Sequence, residues 1–193
     1  MMYLVLGLVI FFGTHLFSAY RSREPGKDVR VKMGQGPYMG LYSLLSLAGF
    51  ALIIWGYGAA RPAPILYMPP AFLAHINLLL MAFAMIFLAA AYLPTGHIKK
   101  AVKHPMLLAV KIWAFGHLLA NGELNSVLLF GSFLVYGVLD RIAVKKRGDN
   151  GPGPDAAVNI MGDLGAVVVG LGVYAAILLW LHPVLFGVAA LPG

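Results

Sequence analysis

The sequence contains no cysteine and few acids, and both absences exclude chemistry. Without a thiol there is no disulfide, no iron–sulfur cluster and no thiolate metal site. Asp and Glu together number 7, and Glu123, Asp140 and Asp163 all lie near the ends of apolar runs. No Glu-x-x-His motif occurs, which disfavours a two-metal carboxylate centre. Charged residues make up 11% of the 193 residues, hydrophobic ones 61%, and the mean hydropathy is +0.85. Such a chain is not a water-soluble globular domain; its composition is that of a membrane protein whose main partner is the lipid bilayer. The net charge of +7 does not point to nucleic acid, because the basic residues lie in loops beside hydrophobic runs.

Six apolar runs are long enough to cross a bilayer, near 2–20, 38–59, 70–93, 105–121, 123–141 and 160–181. The expectation is an all-α fold: a polytopic membrane helical bundle of six transmembrane helices forming one domain over 1–193. No internal repeat is evident. Twelve basic residues sit on alternate loops, at 21–37, 94–104 and 141–159, while the other ends carry only Arg61. This asymmetry predicts that those loops are cytoplasmic and that both termini are not. The first run lacks a basic leader and a small-residue cleavage site, so it reads as a retained span. Asn121-Gly122 predicts a tight antiparallel hairpin, with Gly122 in a left-handed helix-ending conformation. The stretch "KKRGDNGPGPDAA" reads as a mobile polar linker. Gly162, Ala166 and Gly170 form a small-residue face for a neighbouring helix. The tail "HPVLFGVAALPG" is apolar but interrupted by Pro183 and Pro192, and is expected at the outer interface.

Ionisable groups inside an apolar span are costly and mark candidate function. His104-Pro105 starts the fourth span, with Pro105 suited to the first helical position. His104 there reads as an interfacial cap, an anion contact or a ligand at the cytoplasmic mouth. Lys111 can lean back to the same edge, or pair with an acidic cofactor group. His117 lies about 18 Å from that edge at 1.5 Å per residue, too deep for such escape. It shares a stripe with Trp113 and Asn121. His15, on the first span, shares a face with Ser18, Ala19 and Ser22. His75 lies about one turn inside the third span. With no thiol and few carboxylates, histidine is the available ligand chemistry. Imidazoles on facing helices can hold a haem iron, or simply bridge helices.

The segment "GHIKKAVKHPMLLAVKIWAFGHLLANGELNSVLLFGSFLVYGVLDR" (96–141) resembles the centre of the NnrU family of bacterial inner-membrane proteins. "GPYMGLYSLLSLAGFALIIWGYGAAR", "HINLLLMAFAMIFLAAAYLPTG" and "GTHLFSAYRSR" resemble its other segments, and "LHPVLFGV" also looks familial. The resemblance implies a multi-pass protein of the bacterial inner membrane, connected with nitric oxide metabolism and denitrification. The family is similar to zeta-carotene isomerase, an integral membrane haem b protein that isomerises a polyene double bond when its iron is reduced. The resemblance matches the isomerase's axial histidines to His15, followed six positions later by Arg21, and to His117, thirteen residues after the His104-Pro105 pair. Lys103 stands where that enzyme has arginine, and His75 has no counterpart in it. The implied cofactor is haem b, with iron at His117 and His15. Depth on the helices also allows His75, since His15 and His117 differ by about 9 Å in level at 1.5 Å per residue. Arg21 and Lys111 are the implied propionate contacts.

The expectation is therefore a haem-binding membrane protein with a redox, nitrogen-oxide-related or isomerase-like role, taking an apolar or small gaseous ligand. The alternatives are a haem-free membrane enzyme acting on a lipid or isoprenoid at the cytoplasmic interface, or a membrane scaffold or transporter.

Overall fold

The structure is a computed structural model that describes residues 1–191. It is helical, in the order α1 (Met2–Tyr20), α2 (Val29–Met33), α3 (Gln35–Ala59), α4 (Phe72–Tyr92), α5 (His97–Val102), α6 (Pro105–Ala120), α7 (Leu124–Lys146), α8 (Ile160–Ala176) and α9 (His182–Phe186). A π-helical turn, Ile177–Leu181, joins α8 to α9. Among the described residues, five helices are long and apolar enough to cross a membrane: α1, α3, α4, α7 and the continuous rod Ile160–Phe186. The remaining expected span, the fourth, is α6, which has 16 residues and is about 24 Å long.

The long helices pack as a curved row, α3–α1–α7–α6–α4–α8, and among the described residues α3 does not meet α8. The loops fall at two ends: a basic end with 21–34, 93–104 and 147–159, and a turn end with 60–71 and 121–123.

Small residues set the closest crossings, since bilayer helices associate through packing where backbones can approach. A Cβ on Gly7 would lie 2.7 Å from the Ile53 nitrogen, and one on Gly49 would lie 2.8 Å from the Phe11 nitrogen. These crossings bury Leu4, Leu8, Phe12 and Ile53 in one cluster. The expected small-residue face of α8 does pack on a neighbour. Gly170 abuts the Ile86 backbone of α4, and Ala166 is fully buried.

Four expectations need revision. The α6–α7 hairpin forms, but Gly122 is not among the residues with positive φ. It is glycine because the Tyr67 carbonyl presses on it, leaving no room for a Cβ. The linker 147–159 is pinned rather than loose. Lys100 donates to the Ala156 carbonyl at 3.2 Å, Asn159 N–H donates to the Thr95 carbonyl at 2.9 Å, and Gly151 packs on Lys103. The helix expected to stop near 141 continues to Lys146. Pro183 does not break the last helix. It lacks an N–H and crowds the carbonyl four residues earlier, and the turn before it widens to π geometry. Pro192 lies outside the described residues.

Loop 60–71 runs from α3 to α4 across the turn end as a strap. Leu66 N–H donates to the Gly122 carbonyl at 2.8 Å, and Leu124 N–H donates to the Pro64 carbonyl at 2.8 Å. An isolated antiparallel bridge pairs Ile65 with Glu123.

Candidate functional site

His15 and His117 reach the same interior seam from two helices. His15 Nδ1 lies 2.7 Å from the Phe11 carbonyl, and His117 Nδ1 lies 2.9 Å from the Trp113 carbonyl. A carbonyl oxygen can only accept, so Nδ1 carries the proton in both rings and each Nε2 keeps its lone pair. Each bond reaches back one turn, as side chains on helices lean toward the N-terminus. Because α1 and α6 run in opposite directions, the two imidazoles lean toward each other in level, with α7 between their helices.

Aromatic rings fill the interval. The His117 ring stacks on Phe130 at 4.5 Å and lies 5.3 Å from Trp113. Trp113 meets Phe133 edge-on at 5.2 Å, Phe133 lies 5.9 Å from Phe11, and Phe11 lies 4.1 Å from His15. His15 is further flanked by Tyr42 at 5.2 Å and Tyr136 at 5.8 Å. Its ring neighbours are thus aromatic, while Ser18 and Ala19 follow it by one turn on α1. On α7 the neighbours of the two histidines, Phe130 and Tyr136, are six residues apart, or about 9 Å. The separation in level expected from the sequence therefore persists in the packed structure.

The remaining candidates divide. His75 is exposed on α4, and no hydrogen bond, ion pair or aromatic contact among the described residues brings it to His117. His104 caps α6 without a side-chain cap bond, and its Nε2 turns to the Asp149 carbonyl at 3.2 Å, tying α6 to the 147–159 loop. Lys111 lays its stem across Gly137 of α7, where a Cβ would lie 2.8 Å from its Cγ.

The Arg21 side chain is largely covered and forms an ion pair with Asp28, and its guanidinium lies over Tyr38 at 5.6 Å. Burial pushes the Asp28 carboxyl up, but hydrogen bonds from Arg21 and from Arg30 N–H, with the Arg21 charge, outweigh it. Asp28 is held below the ordinary carboxylate range. Arg21 Nε and the Tyr38 hydroxyl remain buried without a hydrogen-bond partner.

His182 starts α9 at a span end. Its Nδ1 donates to the Val188 carbonyl at 2.8 Å and its ring lies 4.9 Å from Phe186, so its recorded partners are on its own segment.

The donor chemistry of His15 and His117 fits a haem iron, which takes neutral imidazole nitrogens. The orphaned Arg21 Nε–H suits a propionate. The rings of Phe11, Trp113 and Phe133 occupy the interval, so one iron held by both histidines requires them to move. No cluster of three or more His, Asp or Glu capable of holding a metal ion occurs among the described residues.

Comparison with known proteins gives one match. A family model described as NnrU protein matches residues 3–190, nearly the whole chain, and the chain belongs to that family. No curated protein and no solved structure matches it.

Proposed function

We propose that this NnrU protein is a six-span bacterial inner-membrane protein that holds a b-type haem through His117 and His15. The observation that carries the reading is the shared tautomer, with both Nδ1–H groups committed to backbone carbonyls and both Nε2 atoms free. Histidines that merely bridge helices would use a ring nitrogen on another helix. Among the described residues, each bonds only its own helix.

When bound, the haem would supply a redox-active iron able to take a small gaseous ligand or to act on an apolar polyene. The protein's part is orientation and exclusion. The carbonyls of Phe11 and Trp113 fix the two rings and raise the basicity of Nε2. Phe11, Phe130, Trp113 and Phe133 line the seam and keep water from it. Arg21, steadied by Asp28, offers an unpaired N–H to a propionate at the basic end. Lys111 adds a second cation on the α6–α7 side.

In the proposed topology, α6 crosses as the fourth of six spans, the basic end is cytoplasmic and both termini face away from the cytoplasm. A short helix such as α6 can span by locally thinning the bilayer.

An absorption spectrum of protein purified from haem-replete cells, oxidised and reduced, tests the proposal. A Soret band with reduced α and β bands is expected. Colourless protein with unchanged folding would overturn it.

A further inference from the structure

The strap over the turn end lines an open cavity of about 720 Å³, remote from the basic end. Its wall carries one cation and one anion, Arg61 and Glu123, together with Tyr57, Tyr67, Ile65 and Met68. The two charges do not neutralise each other, since no ion pair joins them among the described residues. Arg61 uses one N–H, from Nη1 to the Phe186 carbonyl at 3.1 Å, and its guanidinium lies 4.7 Å over the Tyr57 ring. Four of its five donors are left for a ligand. The Glu123 carboxylate is half-buried, and no hydrogen bond among the described residues reaches it.

The backbone holds these charges in place. Glu123 is fixed by its bridge to Ile65 and by the bond from Leu124 N–H to the Pro64 carbonyl. Arg61 lies at the start of the same strap and is braced on Tyr57, whose hydroxyl lies 2.9 Å from the Ser126 hydroxyl. A cation and an anion kept apart on one cavity wall disfavour any ligand of a single sign. An anion is attracted to Arg61 and repelled by Glu123, and a cation meets the reverse.

We propose that this cavity binds a zwitterionic phosphoethanolamine headgroup, with the phosphate on Arg61 and the primary ammonium on Glu123. Guanidinium matches phosphate oxygens in a fork, and a carboxylate accepts from ammonium. The apolar part of the wall, at Ile65, Met68 and Val188, suits the glycerol and first acyl carbons. The cavity lies at the ends of apolar helices of membrane-crossing length, where lipid headgroups lie. The same chemistry exists on a free phosphoethanolamine ester, so the test carries both.

The experiment is native mass spectrometry of the full chain in detergent, with dioleoyl phosphatidylethanolamine, dioleoyl phosphatidylglycerol or soluble glycerophosphoethanolamine added separately. Phosphatidylethanolamine should be retained about tenfold better than phosphatidylglycerol, the factor for one charge-assisted contact. Glu123→Gln should erase that preference, and Arg61→Gln should lose both lipids. If Arg61→Gln fails to fold, Arg61→Lys keeps the charge but not the fork, and retention should fall at unchanged thermal midpoint. Binding of the soluble ester alone, with the same dependence on Arg61 and Glu123, supports the site and assigns it a soluble ligand. Equal retention of the two lipids by the unaltered protein, without binding of the ester, overturns the proposal. So does a preference that survives Glu123→Gln.

Discussion

Trp113 meets Phe133 edge-on at 5.2 Å, and that contact stands between His117 and His15. Each ring touches a neighbour of one histidine, so the pair keeps the two imidazoles about 9 Å apart in level. If an iron joins them, this contact opens. Phe133→Leu, which keeps an apolar side chain but removes the ring edge, should therefore raise haem occupancy, read as the Soret-to-protein absorbance ratio after reconstitution. His117→Ala and His15→Ala should each lower it severalfold, while His75→Ala leaves it unchanged. A drop on His75→Ala equal to that on His15→Ala would transfer the second ligand to α4.

The helices themselves were legible because apolar runs of span length stand out against charged loops. The α1 boundaries, Met2–Tyr20, coincide with the expected run at 2–20. The lateral order of the helices was not legible. Which face of α1 meets α3 depends on Gly7 and Gly49, whose missing side chains carry no hydropathy signal. The same holds for the site. His117 could be singled out by its depth alone, but the aromatic company of His15 comes from Tyr42 and Tyr136 on two other helices.

The glycine crossings make a direct stability prediction. Gly49→Ala places a methyl group 2.8 Å from the Phe11 backbone nitrogen, which cannot swing away as a side-chain end can. The two helices must separate, at a cost of about 1–3 kcal/mol. Gly13→Ala, on the same α1, meets nothing within 4 Å and should be neutral. Thermal unfolding in detergent should show a lower midpoint for Gly49→Ala only. Equal midpoints would mean that α1 and α3 do not cross as closely as described.

The pH dependence at the basic end follows from Asp28. Its carboxyl is held below the ordinary value of 3.8. The folded state therefore binds this proton less readily than the unfolded chain does, and stability rises with pH wherever the unfolded state holds more protons. The contribution is complete above the ordinary value and is lost as pH falls through the folded value. Thermal midpoints measured from pH 7 down to pH 3 should decline toward the acid end. Asp28→Asn should start lower, because Arg21 loses its partner, and should decline less steeply.

The strap gives a prediction with a local readout. Gly122 has no positive φ, so substitution there does not strain the backbone; the obstacle is the Tyr67 carbonyl above it. Gly122→Ala should therefore lift residues 61–71 and weaken the bonds from Leu66 and Tyr67 to the Gly122 carbonyl. Limited proteolysis should cut the strap faster in the variant, while cleavage in 147–159 stays at its original rate. Parallel acceleration at both segments would indicate general loosening in place of a released strap.

The orientation of the helices is open to a clean test because the chain has no cysteine of its own. Twelve basic residues on the 21–37, 94–104 and 141–159 loops against Arg61 at the other end predict that the basic end is cytoplasmic. Lys27 and Met68 are both exposed, Met68 at 84%, and they lie at opposite ends of the row. A membrane-impermeant maleimide applied to intact spheroplasts should label Met68→Cys at once. Lys27→Cys should react only after lysis. Labelling of both from outside would contradict the six-span topology. Labelling of Lys27→Cys alone would invert it, and with it the placement of Arg21 and its paired Asp28 on the cytoplasmic side.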